Sequence, residues 1–509
     1  MNILKQYESK INGTLSTFDR LIINGYILSL QNPRLFLYYL NQNDIKLVDF
    51  HDFAQKQTEE LCQCIENFAN THKVHIQYLP TAKTDKDALA REALELNPEK
   101  YGLIAAFSTV ELCRAMTVKY MKDTGHLYPE SKHTKCKYYY LYFNDEEFGW
   151  MFFKIQTWFP YNVQIYINGH EHLAKMLDKE GMQYEMFHNS FAYLDDFPKA
   201  QELADTMLSK KISDSFDGLA NKLNPHLPNI KEKLNHSYYW CIDQCEFATD
   251  INFKTREDLS SIYKKLVETT YFTFSSEDIY SFFGRKISYI QHLRTGDIIS
   301  DLRKRYQGYR IKFKIDHNQV KMYDKGNNLR IEVTINNPRD FKILKTVEDY
   351  STGEVTNTKK WKPMGKSIAN LYRYADISNS IIQRFINALP EIDTDQISLS
   401  SLNKISQRTE VNGRVYSALN LLNIETLQLM SEISKGKYLI NGFTNKDIRN
   451  VIFDDAETAS NINRMTRLLS KLKAHGVIKR VAKKNKYYLT EKGEKMTSSL
   501  LLYSNGILL

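Results

Sequence analysis

The side chains best suited to chemistry crowd into the last part of the chain. Between Thr458 and His475, the polar residues Asn461, Asn463, Arg464, Arg467 and Lys471 alternate with Ile462, Met465, Leu468, Leu469 and Leu472. The apolar set recurs at three- and four-residue spacing, which predicts an amphipathic helix with the polar set turned outward. Arg and Asn can bond in bidentate fashion to guanine and adenine edges, and lysines neutralise phosphates. Lys483 and Lys484 follow at the tip of VIKRVAKKNKYYL, which reads as two short strands. The competing reading is a solvated helix face or a protein-protein module.

The elements that position these groups are legible too. Thr426 to Ser434 reads as one helix, and Thr444 to Phe453 as a second with Thr444 as its cap. Gly476 stands where the third helix needs a left-handed C-terminal residue. Three helices followed by a basic hairpin are the winged helix-turn-helix arrangement. The run RLLSKLKAHGVIKRVAKKNKYYLTEKG, Arg467 to Gly493, resembles the recognition helix, wing and following helix of bacterial MarR-type proteins. That resemblance implies double-stranded DNA as partner. It puts Asn461, Asn463, Arg464, Arg467 and Lys471 in the major groove, and Lys483 and Lys484 on the wing beside phosphate or the minor groove.

A second basic region lies upstream. RIKFKI, QVKMYDK, LRIEVTI and FKILKTV read as successive strands separated by DHN, GNN and NNP turns. Alternation in RIKFKI sends Ile311, Phe313 and Ile315 one way and Arg310, Lys312 and Lys314 the other, so one face is basic. Before it, YYWCIDQCEFATDINF carries Asp243, Glu246 and Asp250 on a strand-like run. An aspartate-bearing strand, a helix, then Y-D-K and L-R-x-E weakly resemble replication initiators of rolling-circle plasmids and filamentous phages. That resemblance implies a palm-like sheet and metal-dependent tyrosine nickase chemistry. Tyr323 would be the nucleophile, Asp243, Asp250 and Glu332 oxygen ligands for Mg²⁺ or Mn²⁺, and Lys325 and Arg330 phosphate holders. The residues themselves leave another reading open, in which Tyr323 packs and Lys321 and Lys325 pair with Asp324 or Glu332. His170-Glu171-His172 departs from the histidine–apolar–histidine pattern of related tyrosine nucleases and reads as surface or cap histidine.

Around these regions the texture is that of a folded protein. The alternation of IKLVDF, a helical stretch from Phe53, VHIQYLP, DKDALAREALELN and YGLIAAFSTV predicts a parallel β-α-β layer. Lys137 to Ile167 is aromatic and β-branched, with a turn at Asn144 to Gly149, which predicts antiparallel strands; their rings belong to a core or stack on single-stranded nucleic acid. Helices are expected after Gly169, around Pro198 to Met207 and Ser213 to Leu223, and over Ile368 to Leu389, with Pro225 and Pro228 marking a boundary. The fold class is α+β or α/β multidomain. Its expected parts are an α/β region 1–130, an aromatic sheet with helices 131–235, a basic mixed or antiparallel, palm-like sheet with helices 236–390, a linker 391–415, and the winged helix 416–509.

Composition narrows the function classes. The chain has 509 residues, is 42% hydrophobic and 25% charged, and contains only 11 Pro and 20 Gly, which excludes disordered and collagen-like classes. No apolar run reaches membrane-spanning length, no signal-peptide pattern is present, and the six cysteines include no C-x-x-C, so reduced thiols in a cytoplasmic protein are expected. Neither G-x-G-x-x-G, a phosphate-binding P-loop nor G-x-S-x-G occurs. The layout is also similar to a widespread bacterial family carrying T-W-F-P, N-G-H, K-M-Y-D-K, N-x-P-R-D-F and a C-terminal winged helix, here at Thr157 to Pro160, Asn168 to His170, Lys321 to Lys325 and Asn337 to Phe341.

Charge is concentrated rather than spread. Thr458 to Met496 holds eleven Lys or Arg against two Glu, net +9, and 301–345 holds twelve against five, net +7. The whole chain is +9, so the remaining residues sum to −7. That distribution predicts a nucleic-acid-binding protein. The resemblance to replication initiators implies one belonging to a mobile element or replicon; an oligomer is allowed and no membrane partner is expected. The alternative is a non-catalytic winged-helix transcriptional regulator with a large sensing or assembly region.

Overall fold

The computed structural model describes residues 3–504 apart from 98–99, 124, 210, 286–297, 306–307, 349–354, 390–405, 412, 421–422 and 482–483. The fold is mixed α/β. The chain divides into two compact units that interleave in sequence: Leu15–Ala248 with Thr334–Ile377, and Met1–Thr14 with Thr249–Val333 and Ser378–Leu509.

The first unit holds most of β1 (Ile11–Tyr26), then β2 (Ile76–Tyr78), β3 (Gly102–Met121), β4 (His126–Asp145), β5 (Gly149–Gln156) and β6 (Val163–Asn168). They run side by side as β1-β6-β5-β4-β3-β2. β2 and β3 are parallel and joined through the helix Lys86–Glu95, as the β-α-β pattern predicts; the other pairs are antiparallel. The expected strand Ile45 to Phe50 is instead a turn leading into the helix Phe50–Thr71, and Val48 is 70% exposed, so the run has no sheet to join. Pro228 does not break the chain either. It sits in the first turn of the helix Leu227–Leu234, where a missing N–H is harmless. The aromatic strands are core: Tyr139, Phe153, Phe159 and Tyr161 are fully buried.

Cys113 on β3 and Cys136 on β4 form a disulfide, which corrects the expectation of six reduced thiols; Cys62, Cys64, Cys241 and Cys245 are free. Cys136 lies opposite Glu111, one diagonal step from Cys113, and the Cα atoms are 6.2 Å apart. Hairpin register creates this proximity, and a 23-residue separation carries no motif. A small hairpin, β7 (Tyr184–Met186) with β8 (Phe191–Leu194), completes the strands that follow β6.

β9 (Tyr239–Phe253), like β1, contributes residues to both units. In the second unit β10 (Ile298–Arg305), β11 (Gly308–Ile315), β12 (Asn318–Lys325) and β13 (Asn328–Ile335) lie side by side. Ile311, Phe313 and Ile315 are buried, as alternation predicts, and Val320 and Met322 on the neighbouring strand are buried with them. Phe274, Phe282 and Phe385, at the ends of helices, close a ring cluster on Phe313. β14 (Lys342–Glu348) and β15 (Val355–Pro363) form a separate hairpin. The described part of the expected linker contains another, β16 (Thr409–Val411) with β17 (Arg414–Tyr416).

The last segment has helices Ile424–Ile433, Gly436–Asn441, Asn445–Ile452 and Ala459–Ala474, then β18 (Ile478–Arg480) paired with β19 (Tyr487–Leu489), and the helix Glu491–Ser504. Met430, Phe443, Ile448, Met465, Leu469 and Leu472 are among its core. Gly436–Asn441 is a helix that no sequence signal announces. The backbone N–H of Lys437 donates to Asp278 Oδ1 at 2.5 Å, and its ammonium pairs with Glu277 and Glu432. Among the described residues, no helix is long and apolar enough to cross a membrane.

The N-G-H string shows how local chemistry sets this packing. Asn168 caps the helix Gly169–Glu180, its side chain accepting from the His170 N–H at 2.9 Å. A Cβ on Gly169 would stand 2.2 Å from the Phe18 carbonyl oxygen on β1. Gly169→Ala is expected to cost about 2 to 3 kcal/mol, read as a lower midpoint in denaturant; an unchanged midpoint would mean that β1 and this helix do not depend on the close approach.

Candidate functional site

The C-terminal helix Ala459–Ala474 is built by its ends. Thr458 Oγ1 accepts from the Asn461 N–H at 3.3 Å, and Gly476 adopts φ +73° just beyond the last turn. The preceding helix begins with a reciprocal cap, Thr444 with Asp447. Met465, Leu469 and Leu472 are buried, Leu468 packs against them, and Ile462 is half-buried. The opposite side presents Ser460, Asn463 and Arg467 to solvent, with Lys471 half-exposed one turn on.

The expected recognition residues therefore separate. Asn463 and Arg467 are exposed. Asn461 is half-buried and donates to the Asp455 carbonyl at 3.0 Å, a capping role. Arg464 is 57% exposed but pairs with Glu425 at 2.6 Å and lies over the Phe453 ring. Lys484 is exposed, and Lys483 falls outside the described residues. Lys479 and Arg480 on β18 are exposed basic groups that the sequence reading passed over as site residues; both are exposed in succession after buried Ile478, so simple alternation would not have found the pair.

The L-T-x-x-G string also acquires a physical meaning. Thr490 Oγ1 accepts from the Gly493 N–H at 3.0 Å, and its N–H donates to the Val477 carbonyl at 2.9 Å. A Cβ on Gly493 would lie 2.0 Å from that carbonyl oxygen. The final helix is thereby seated directly against the chain leaving the long helix.

In the central sheet, Arg330 is fully buried and donates from Nε and Nη2 to the two Asp250 oxygens, each at 2.6 Å. Tyr323 OH and Lys321 Nζ donate to the two oxygens of buried Glu332. Lys325 Nζ lies 5.9 Å over the Tyr323 ring. Asp243 belongs to the other unit, where it is half-exposed and 3.1 Å from Lys366 Nζ. The structure thus groups Tyr323 with Glu332 and Arg330 with Asp250. Carboxylates expected as metal ligands accept from protein cations, and Lys321 takes the pairing the sequence left open.

Burial alone would raise the Glu332 carboxyl. The Lys321 charge, hydrogen bonds from Lys321 and Tyr323, and the nearby Arg330 override it and hold the group down to about 2. A carboxylate that acidic is a poor acceptor for a phenol proton, so it orients Tyr323 more readily than it activates it. Arg310 and Lys312 share Asp301, each at 3.3 Å, and Arg303 reaches it at 2.9 Å. The basic face is thus partly neutralised.

The histidine pair is buried, which corrects its reading as surface histidine. His170 Nδ1 lies 3.6 Å from Asp19, and His172 Nδ1 is 2.5 Å from the Glu147 carbonyl, so the rings address different neighbours. No family model, curated protein or solved structure matches the chain.

Two outcomes follow from the buried pairs. Arg330→Met is expected to cost about 3 to 5 kcal/mol because it strands a buried carboxylate, while adding Asp250→Leu recovers most of the loss; a double-variant loss equal to the sum of the two single-variant losses would show that the charges act independently. The depressed Glu332 stabilises the fold fully above its usual value of 4.5 and less as pH falls toward about 2. The stability gap between the native chain and Glu332→Gln should therefore be largest near neutrality and shrink below pH 4.5, measured by denaturant melts across pH.

Proposed function

We propose that the chain is a cytoplasmic DNA-binding protein of a mobile element or replicon, and that residues 416–509 form a MarR-type winged helix-turn-helix. The observation that carries the reading is a polar stripe, Ser460, Asn463, Arg467 and Lys471, on a helix capped at both ends and followed by a hairpin with Lys479, Arg480 and Lys484 exposed. Arg and Asn at successive turns suit base edges, and the hairpin lysines suit phosphate. The likeness to MarR-type proteins is part of this proposal, as is membership of the bacterial family with the T-W-F-P and N-G-H strings.

The central sheet serves this protein as a scaffold that adds positive charge beside DNA. The non-catalytic version, a regulator, is favoured over nicking by one observation: Asp250 and Glu332 already accept from Arg330, Lys321 and Tyr323. Cleavage with Mg²⁺ or Mn²⁺ would require those partners to be exchanged for the ion.

Binding of labelled duplexes by the full chain tests the reading. Arg467→Ala should weaken binding by about 1 to 3 kcal/mol and relax preference at one base position. Lys484→Ala should weaken all sequences alike and lower the slope of log affinity against log salt by about 1. Duplex binding that survives both changes intact would place the contact elsewhere.

A further inference from the structure

β3 and β4 are each 20 residues long, far longer than their neighbours require. β2 pairs with β3 only at Ala106 to Ser108, and β5 pairs with β4 only from Tyr138 onward. From Val110 to Met121, β3 has β4 as its sole strand neighbour among the described residues, in unbroken register from Val110↔Lys137 to Met121↔His126. The inner part of this ribbon is braced. The Met116 N–H donates to the Phe159 carbonyl at 3.1 Å, Trp158 Nε1 donates to the Met116 carbonyl at 2.9 Å, and the Cys113–Cys136 disulfide crosses the two strands. Beyond Met116 the two strands continue for five pairs, roughly 17 Å at the usual rise per residue.

The composition of this ribbon differs from its surroundings. Arg114 to Lys135 contains five Lys or Arg and two acids, net +3, whereas the residues outside this and the two basic segments already described sum to −10. Lys122, Lys132 and Lys135 are exposed, as are His126 and His133; Lys119 has Glu130 at 4.0 Å. At the outer end large apolar side chains are also uncovered: Tyr120 is 57% exposed, with Met121, Leu127 and Tyr128 beside it. Cross-strand register puts Tyr120 directly opposite Leu127 and Lys119 opposite Tyr128.

We propose that the β3–β4 ribbon is a second DNA-binding element, an arm that lies in a groove of duplex DNA. Its lysines contact phosphates, and Tyr120 and Leu127 at the outer end meet bases or sugars. The inference rests on the DNA-binding reading above and adds a contact on the other compact unit. A two-stranded ribbon is the β element that the major groove admits, and apolar side chains at an arm's end are the groups that wedge between base steps. Two arms of like charge would repel, so pairing arm to arm with a second copy is disfavoured.

The test uses the full chain with labelled duplex DNA and two arm variants. Lys122→Glu/Lys132→Glu/Lys135→Glu should keep the native melting temperature, since all three side chains are exposed, yet lose about tenfold or more in affinity, with the salt slope lowered by about 3. Benzoylphenylalanine in place of Tyr120 should photo-crosslink to a DNA strand, and should still do so in Arg467→Ala at saturating DNA. Unchanged affinity and slope with no crosslink would overturn the arm alone, and Arg467→Ala would still report on the winged helix. A native chain that binds no DNA would overturn both. Unchanged DNA binding with a lower mass by light scattering in the lysine variant would assign the arm to self-association instead.

Discussion

The buried pair of Arg330 and Asp250 is the constraint around which the central sheet is organised. A guanidinium with no solvent exposure survives only if a carboxylate meets it along two parallel hydrogen bonds, and Asp250 does so at 2.6 Å on each. A slip of one residue on β13 would turn Arg330 to the other face of the strand and leave Asp250 buried and uncompensated. The pair therefore specifies register more than it adds stability. Asn252 extends the same logic one alternation along β9 by donating to Asn328 Oδ1 at 2.8 Å.

This ladder divides the sheet's two faces by chemistry. One face carries the Phe274, Phe282, Phe313 and Phe385 cluster, and the alternate residues Arg310, Lys312, Lys321 and Tyr323 of β11 and β12 lie on the other. There Lys321, Tyr323 and Glu332 satisfy one another, and Arg303, Arg310 and Lys312 converge on Asp301. The result is a largely buried charged network in which Lys321 and Arg303, Arg310 and Lys312 hold Glu332 and Asp301 ionised. Such a network suits a rigid scaffold better than proton transfer, because a carboxylate held below its usual range by Lys321 is a weak base toward the Tyr323 phenol.

The C-terminal segment solves a different problem, holding a short helical module together with few residues. Its ends carry the burden: Thr444, Thr458 and Thr490 each bond backbone N–H groups at a helix start, and Gly493 lets two chains pass where a methyl group would collide. Asp278 joins this module to the helix Ser276–Phe282 through the Lys437 N–H. With the ends fixed, Asn463 and Arg467 stand exposed on the outer side of Ala459–Ala474.

The sequence by itself determined whatever depends on local pattern and local capping. The long C-terminal helix and Gly476, the Thr444 cap, the β2-to-β3 crossover, the aromatic hairpins and the alternating faces of β11 were all legible, because spacing and turn chemistry are properties of consecutive residues. Tertiary structure decided what depends on residues distant in the chain. It removed the strand expected at Ile45 to Phe50, joined Cys113 to Cys136, buried His170 and His172, and gave Arg464 to Glu425. It also paired Arg330 with Asp250, 80 residues away, where the resemblance to replication initiators had implied phosphate and metal. An Arg or an Asp has the same composition whether it faces a ligand or its own fold; only the partner that burial brings within hydrogen-bond reach decides which.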